Sequence, residues 1–112
     1  MNLNKLIKNA LKELNIPVHP FTYEGEETTY ITFFEFLGQG EEFADDVEVE
    51  TGHYIQVDLW SKTSYHNIVK NIKEMLTKVG FIRKSETELY EKETKTFHKV
   101  IRFFYVENKE EY

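Results

Sequence analysis

The sequence predicts an α+β protein in which two helices accompany a four-stranded, mainly antiparallel sheet. Two segments place apolar residues three and four positions apart, as one face of a helix does, and four segments are rich in β-branched and aromatic residues, as strands are. These segments follow one another in the order α-β-β-α-β-β, so both pairs of neighbouring strands can form hairpins. With 112 residues, of which 40% are apolar, the chain is expected to form a single domain over 1–112.

The first helix is predicted near the amino terminus, where lysine, asparagine and glutamate occupy the face opposite the apolar positions. Pro17 and Pro20 are expected to stop this helix, because proline lacks an amide donor and disfavours helical geometry in the residue before it. The apolar positions of the helix are Leu3, Leu6, Ile7, Ala10, Leu11 and Leu14.

The first two strands are predicted at Thr29 to Phe36 and at His53 to Trp60. The earlier run is bounded by Gly25 and Gly38 and consists mostly of β-branched and aromatic residues. The later run alternates more regularly, which indicates a strand with one buried face. The residues predicted for that buried face are Ile55, Val57 and Leu59.

An acidic segment at about 38–50 connects these two strands. It is interpreted either as a long loop or as the outer part of an extended hairpin whose second strand begins as early as Asp46. The hairpin is favoured because Val47 and Val49 alternate with glutamates, and it predicts an acidic arm that projects from the sheet. The carboxylates of the predicted arm are Glu41, Glu42, Asp45, Asp46, Glu48 and Glu50.

The second half of the chain predicts a helix followed by a hairpin. Apolar residues keep helical spacing from Ile68 to Val79, and Gly80 follows as a helix-ending residue. Two strands, Phe81 to Tyr90 and Phe97 to Val106, then flank a charged turn, and residues 107–112 are expected to fray. The second helix is expected to pack on one face of the sheet, while the first helix shares that face or covers an edge.

Composition argues against several classes of function. Twenty acidic and fourteen basic residues give a net charge of −6, which repels phosphates and removes the usual basis for non-specific nucleic-acid affinity. The chain has no cysteine, which fits a reducing compartment, and no signal peptide or membrane span is expected. It contains neither a phosphate-binding glycine motif nor a Gly-x-Ser-x-Gly elbow. The sequence therefore predicts a protein that is not an enzyme and binds no cofactor.

Metal binding is weighed against surface roles for the same residues. The four histidines lack the short spacings typical of metal sites. His53 and His98 could be neighbours on adjacent strands, whereas Asp58 lies five residues from His53 and must face the opposite side of a regular strand. The acidic arm could bind Ca²⁺ or Mg²⁺, but its spacing matches no EF-hand loop and a solvated arm is favoured. No metal site is predicted.

Aromatic residues exceed what one face of a four-stranded sheet can bury beneath a single helix. In Phe97 to Val106 both alternating sets are partly apolar, as in a strand that is covered on both sides. A second face is therefore expected to carry rings, which either the first helix or a partner subunit covers. The rings predicted for a subunit interface are Tyr30, Phe34, Tyr54, Phe103 and Tyr105.

Three stretches of the sequence carry a family resemblance. They are the strand YIQVDLWSK at 54–62, the helix that ends at Gly80 and Phe81, and the hairpin strand KVIRFFY at 99–105. Together they resemble the small tail-completion and tail-terminator proteins of long-tailed bacteriophages and prophages. The likeness extends over nearly the whole chain, since members of that family also open with a helix and lay a helix across a sheet.

The resemblance implies a structural role in assembly. Members of the family form rings, commonly hexamers, that cap the tail tube and present a surface to the head connector. The implied partners are further copies of the chain, the tail tube protein and the head-connector protein, in the host cytoplasm during assembly and then in the virion tail. The acidic arm would face the tube or the lumen, where like charge lets DNA pass without specific binding. Asp58 and Trp60 would pack within the subunit.

Two other functions stay open at this point. A small regulatory or adaptor protein shares this composition. A metal-dependent hydrolase would need His53, His98 and acids of the arm to converge on one pocket.

Overall fold

The computed structural model describes residues 2–36 and 50–108, which form two α-helices and a five-stranded mixed sheet. The α+β class and its two helices are confirmed, whereas the sheet has one strand more than predicted. The elements in chain order are α1 (Leu3–Leu11), a short 3₁₀ turn (Lys12–Leu14), β1 (Val18–Pro20), β2 (Tyr30–Phe36), β3 (Glu50–Ser61), α2 (His66–Lys78), β4 (Ile82–Glu91) and β5 (Thr96–Asn108).

Helix α1 begins and ends at residues with identifiable capping roles. The side-chain oxygen of Asn2 accepts a hydrogen bond from the Lys5 amide at 3.0 Å and satisfies one of the free donors of the first turn. After the 3₁₀ turn, Asn15 adopts a left-handed conformation with a φ of 59°. The chain therefore leaves the helix two residues before Pro17, so the predicted stop at the proline pair is slightly late.

The additional strand, β1, lies at one edge of the sheet and runs parallel to β2. Val18 pairs with Ile31, and Pro20 pairs with Phe33. A three-residue strand that ends in proline carries almost no local strand signal, and its parallel partner lies thirteen residues away. Proline is tolerated here because an edge strand does not need every amide donor.

The strands lie in the order β1-β2-β3-β5-β4, and all neighbours except β1 and β2 are antiparallel. The long strands β3 and β5 pair at the centre, where Val57 lies opposite Ile101. Helix α2 connects β3 to β4 at the far edge, and β4 then returns to β5 as the predicted hairpin. A register shift between Arg83 and Ser85 marks a bulge in that hairpin.

Both helices pack on the same face of the sheet, which we call the helix-covered face. Ile7 and Leu11 of α1 join residues of α2 and the sheet in one cluster of buried side chains. The predicted set Ile55, Val57 and Leu59 lies in this cluster, and each is at most 1% exposed. Of the alternatives for the first helix, the structure therefore selects sharing the face with α2, and α1 does not cover the second face of the sheet. No helix within the described ranges has the length and apolarity to cross a lipid bilayer.

Strand β5 continues to Asn108, so the first two residues of the predicted frayed tail belong to the sheet. A side-chain contact explains part of this extension, because the Glu107 carboxylate lies 3.0 Å from Nε2 of His53 on the neighbouring strand. The predicted acidic arm lies outside the described residues except for Glu50, which begins β3.

Candidate interaction surface

The face of the sheet opposite the helices, which we call the open face, holds the most unusual chemistry in the molecule. In the part of the chain that the structure describes, neither helix packs against it. It includes alternate positions of β4, among them Ile82 and Leu89. Its remaining side chains come from the alternate positions of β2, β3 and β5. They are Tyr30, Thr32, Phe34, Phe36, Tyr54, Gln56, Asp58, Trp60, His98, Val100, Arg102 and Phe104.

A buried carboxylate lies at the centre of the open face. Asp58 is only 4% exposed, and its Oδ1 atom lies 2.7 Å from Nε2 of His98 and 2.9 Å from Nε2 of Gln56. Because a carboxylate only accepts hydrogen bonds, Nε2 of His98 carries a hydrogen atom and donates a hydrogen bond to Asp58. A buried carboxylate needs such hydrogen-bond partners. The two hydrogen bonds to Asp58 therefore fix the orientation of the His98 and Gln56 side chains.

The single tryptophan of the chain is held in place by this polar group. The Trp60 ring stacks on the His98 ring with centroids 3.6 Å apart and planes inclined by 14°. Its indole nitrogen donates to the Thr32 hydroxyl at 3.2 Å. Trp60 therefore has little rotational freedom although it is only half-buried, and rigid rings of this kind are suited to contact another molecule.

The hydrogen-bonded chain continues to an exposed cation. Nε of Arg102 donates to Oε1 of Gln56 at 3.0 Å, and the guanidinium carbon lies 5.2 Å from the centre of the Phe36 ring. Beside it, Tyr54 contacts Phe36 and Phe104 with centroid distances of 5.7 Å and 4.9 Å. This end of the open face thus combines packed rings with a cation held over one of them.

At the other edge, an aromatic pocket of about 220 Å³ opens on the same face. The Tyr23 and Tyr30 rings lie 4.6 Å apart, and the Tyr30 and Trp60 rings lie 6.1 Å apart with planes inclined by 18°. Burial raises the pKa of the Tyr30 hydroxyl, and the nearby Glu91 carboxylate adds to that shift. The pocket is lined by Phe21, Thr22, Tyr23, Tyr30, Thr32 and Trp60.

Phe21 forms one wall of this pocket and has a strained backbone. Its φ is 67°, a conformation that few non-glycine residues adopt, and its side chain is 71% exposed. Hydrogen bonds from the Phe21 amide to the Phe33 carbonyl and from the Thr22 amide to the Pro20 carbonyl, both 2.8 Å long, hold the turn. The backbone is therefore strained at a residue whose aromatic ring is mostly exposed to solvent. Since so little of the ring is buried, it contributes little to the stability of the fold.

Most of the large exposed apolar side chains lie on the open face. Among the described residues, the large apolar side chains that are about half exposed or more are Phe21, Ile82, Leu89 and Tyr90. Ile82 and Leu89 lie opposite Phe104 and His98, on the open face, and the Phe21 ring stacks on Phe34 of the same face. Tyr90 lies opposite Phe97 and points to the other side.

The rings predicted for a subunit interface divide between the two faces. Tyr30, Phe34 and Tyr54 lie on the open face. Phe103 is wrong as an interface residue, because it is 0% exposed beneath the helices. Tyr105 also lies on the helix-covered face, where its ring stacks on Phe81 with centroids 4.6 Å apart.

The arrangement of histidines that a hydrolase would need is not formed. His53 lies opposite Tyr105 on the helix-covered face, whereas His98 lies opposite Trp60 on the open face, so the two histidines, which the sequence allowed to be neighbours, are not adjacent. Instead, His53 bridges Glu35 at 2.8 Å and Glu107 at 3.0 Å. Within residues 2–36 and 50–108, no three histidine or carboxylate side chains converge as metal ligands would.

Sequence reasoning missed the aromatic pocket and the Asp58 and His98 pair. Alternation correctly separated Asp58 from His53, but the pairing with His98 depends on the register between β3 and β5, which lie about forty residues apart. The pocket depends on the left-handed turn at Phe21. A positive φ is usually indicated by a glycine, and the sequence has none at this position. The aromatic surplus was the one signal that pointed to this face.

Comparison with known proteins does not place the chain in a family. No family model matches the sequence, and no curated protein matches it significantly.

Proposed function

We propose that the chain is a structural assembly protein of the phage tail-completion type, and that its open face binds a second copy of the chain within a ring. The observation that carries this proposal is the distribution of exposed apolar side chains, because Phe21, Ile82 and Leu89 all lie on the open face. Apolar side chains grouped on one uncovered face are typical of a surface that is buried on association.

The sequence resemblance supplies the kind of assembly. In a tail-completion role, the ring would cap the tail tube and contact the head connector. The net charge of −6 agrees with DNA that passes without being bound, since like charges repel. The rigid group formed by Asp58, His98 and Trp60 would then provide a preorganised centre for the subunit contact.

The test compares two neighbouring residues that are equally exposed on opposite faces. Leu89 is 49% exposed on the open face, and Tyr90 is 50% exposed on the helix-covered face. We expect Leu89→Glu to weaken self-association or binding to the tail tube protein at least tenfold, because it brings a charge into an apolar contact, whereas Tyr90→Glu leaves both unchanged. Light scattering, electron microscopy for closed rings, and binding to purified tube and connector proteins measure these effects.

Two outcomes contradict the proposal. A wild-type protein that stays monomeric at high concentration and binds neither the tube nor the connector protein is not an assembly protein of this type. If Tyr90→Glu disrupts association and Leu89→Glu does not, the interface lies on the helix-covered face.

A further inference from the structure

The aromatic pocket has about the size of one side chain. Its volume of about 220 Å³ lies below the range of roughly 300–1,000 Å³ that is usual for small-molecule sites. Four of its six lining residues are aromatic, and the rings of Tyr23, Tyr30 and Trp60 follow one another at 4.6 Å and 6.1 Å. Such walls favour a flat or cationic group, because aromatic faces attract positive charge.

The charge around the pocket selects a cation. The segment 20–32, which supplies five of the six lining residues, contains three glutamates and neither lysine nor arginine. Glu91 of the neighbouring hairpin also lies close enough to Tyr30 to influence its hydroxyl. An anion would meet repulsion at this edge, whereas a cation would be attracted both by the carboxylates and by the ring faces.

The pocket is preformed, because contacts within the protein hold its walls in position. The Tyr23 hydroxyl accepts a hydrogen bond from the Glu27 amide at 3.1 Å, and Trp60 is anchored by Thr32 and His98. Gly25 permits the loop to lie against Tyr23, because a Cβ atom at Gly25 would collide with the Tyr23 ring. Together with the strained turn at Phe21, four separate features therefore hold the walls of the pocket.

We propose that the aromatic pocket binds the guanidinium group of an arginine side chain that a partner protein presents to the open face. A guanidinium group is planar and weakly hydrated, so it stacks on aromatic rings more readily than a compact ammonium group does. Thr22 and Thr32 also line the pocket, and because Thr32 already accepts a hydrogen bond from Trp60, Thr22 is the residue whose hydroxyl is free to accept from the guanidinium N–H groups. The partner can be a second copy of the chain, so this binding site is compatible with the proposed ring without depending on it.

The experiment uses the fluorescence of Trp60, the only tryptophan of the chain, as the readout. The full-length protein is titrated with the acetylated and amidated peptide Gly-Arg-Gly and with matched peptides that carry citrulline or lysine in the central position. Citrulline keeps the shape of arginine but lacks its charge. We expect saturable binding of the arginine peptide, binding of the citrulline peptide weaker by at least about threefold, and a smaller loss for the lysine peptide. Increasing salt should weaken the binding of the arginine peptide.

Protein variants then locate the site. Phe21→Ala should weaken binding of the arginine peptide by about two- to fivefold, as expected for the loss of one cation–π contact. Leu89→Ala, at an exposed apolar position on the opposite edge of the same face, should leave binding unchanged. Gly25→Ala provides a second test, because it displaces Tyr23 without removing a ring. Circular dichroism checks that each variant is folded.

Three results overturn the proposal. Equal binding of the arginine and citrulline peptides excludes recognition of charge, and wild-type affinity in both Phe21→Ala and Gly25→Ala excludes this pocket. Free arginine that binds as tightly as the peptide would assign the pocket to a small cation, and the assignment to a partner protein would then be wrong.

Discussion

The two faces of the sheet are built from the same strands but by different physical means. Along β3, Ile55, Val57 and Leu59 point to the helix-covered face and are at most 1% exposed. The alternate positions hold Asp58 and Trp60, which take part in directed hydrogen bonds and ring contacts on the open face. One face therefore gains stability from non-directional apolar burial, and the other gains a fixed arrangement of polar and aromatic groups.

The residues that stabilise the fold and the residues that a partner could contact therefore lie on different faces of the sheet. The apolar side chains of the helix-covered face are fully buried beneath the helices, so a partner could contact little of them. On the open face most rings are partly exposed, and Trp60 is held by a hydrogen bond and by stacking, so that binding through this ring would cost little side-chain entropy. Substitutions on the two faces should consequently differ in the size of their effect on stability and in what they change besides stability.

Truncation of a core ring should have the largest effect. We expect Phe103→Ala to lower the free energy of unfolding by about 3–5 kcal/mol, because it leaves a cavity beneath the helices. Phe34→Ala, at a half-buried position of the open face, should lower it by only about 1–2 kcal/mol. Urea denaturation of both variants measures the difference. Equal losses would show that the open face contributes to the core as much as the helix-covered face does.

Removal of the buried carboxylate should come next. We expect Asp58→Ala to lower the free energy of unfolding by about 2–3 kcal/mol, because His98 and Gln56 lose a charged acceptor. The Trp60 emission should change as well, since its stacking partner is released. As a control, Glu93→Ala in the exposed turn of the last hairpin should change stability by less than about 0.5 kcal/mol. A small stability change with unaltered emission would indicate that Asp58 does not hold the open face together.

The third prediction concerns alkaline pH and the helix-covered face. Burial raises the pKa of the Tyr65 hydroxyl from 10.0 to about 12, and the nearby Glu88 carboxylate adds to the shift. The unfolded chain therefore ionises at this residue before the folded protein does, so the stabilising contribution is complete below pH 10 and declines between pH 10 and about 12. Tyr65→Phe should show a shallower decline of unfolding free energy over that interval, measured by denaturation at several pH values. Identical slopes for the two proteins would contradict this assignment.

The smallest effect is expected at the polar rim of the helix-covered face. Hydrogen bonding from Lys73 of α2 lowers the pKa of Glu86 below its ordinary value of 4.5, Lys99 adds to this, and partial burial opposes it. The contribution of Glu86 to stability is therefore complete above pH 4.5 and is lost as the pH falls through the lower value of the folded state. Wild type should exceed Glu86→Gln in unfolding free energy at pH 7 by a margin that shrinks toward pH 3. A margin that is independent of pH would show that charge is not its source.

Most elements of the fold could be predicted, because their signals are local. The spacing from Ile68 to Val79 and the glycine that follows predicted α2, which spans His66–Lys78. Alternation in β5 correctly divided Phe103 from Phe104, but the sequence contained no information on which of the two sets would lie beneath the helices. For this reason the sequence predicts Phe103 as an interface ring, although it is fully buried.

The candidate site was predicted much less completely. An excess of rings indicated a second aromatic face, and Tyr30, Phe34 and Tyr54 do lie on the open face. The pocket could not be predicted, since it requires β1 to pair with β2 and Phe21 to adopt a positive φ. Neither feature has a local cause that a short window of sequence would reveal.

The amino-acid pattern predicts the two helices, the four long strands and the two faces of each of those strands, because these features depend on a repeat of two or about 3.6 residues. It does not predict that both helices share one face, that His98 rather than His53 accompanies Asp58, or that an aromatic pocket forms beside Trp60. These features depend on strand register and packing between residues distant in the chain, and such contacts are selected by the energy of the whole fold.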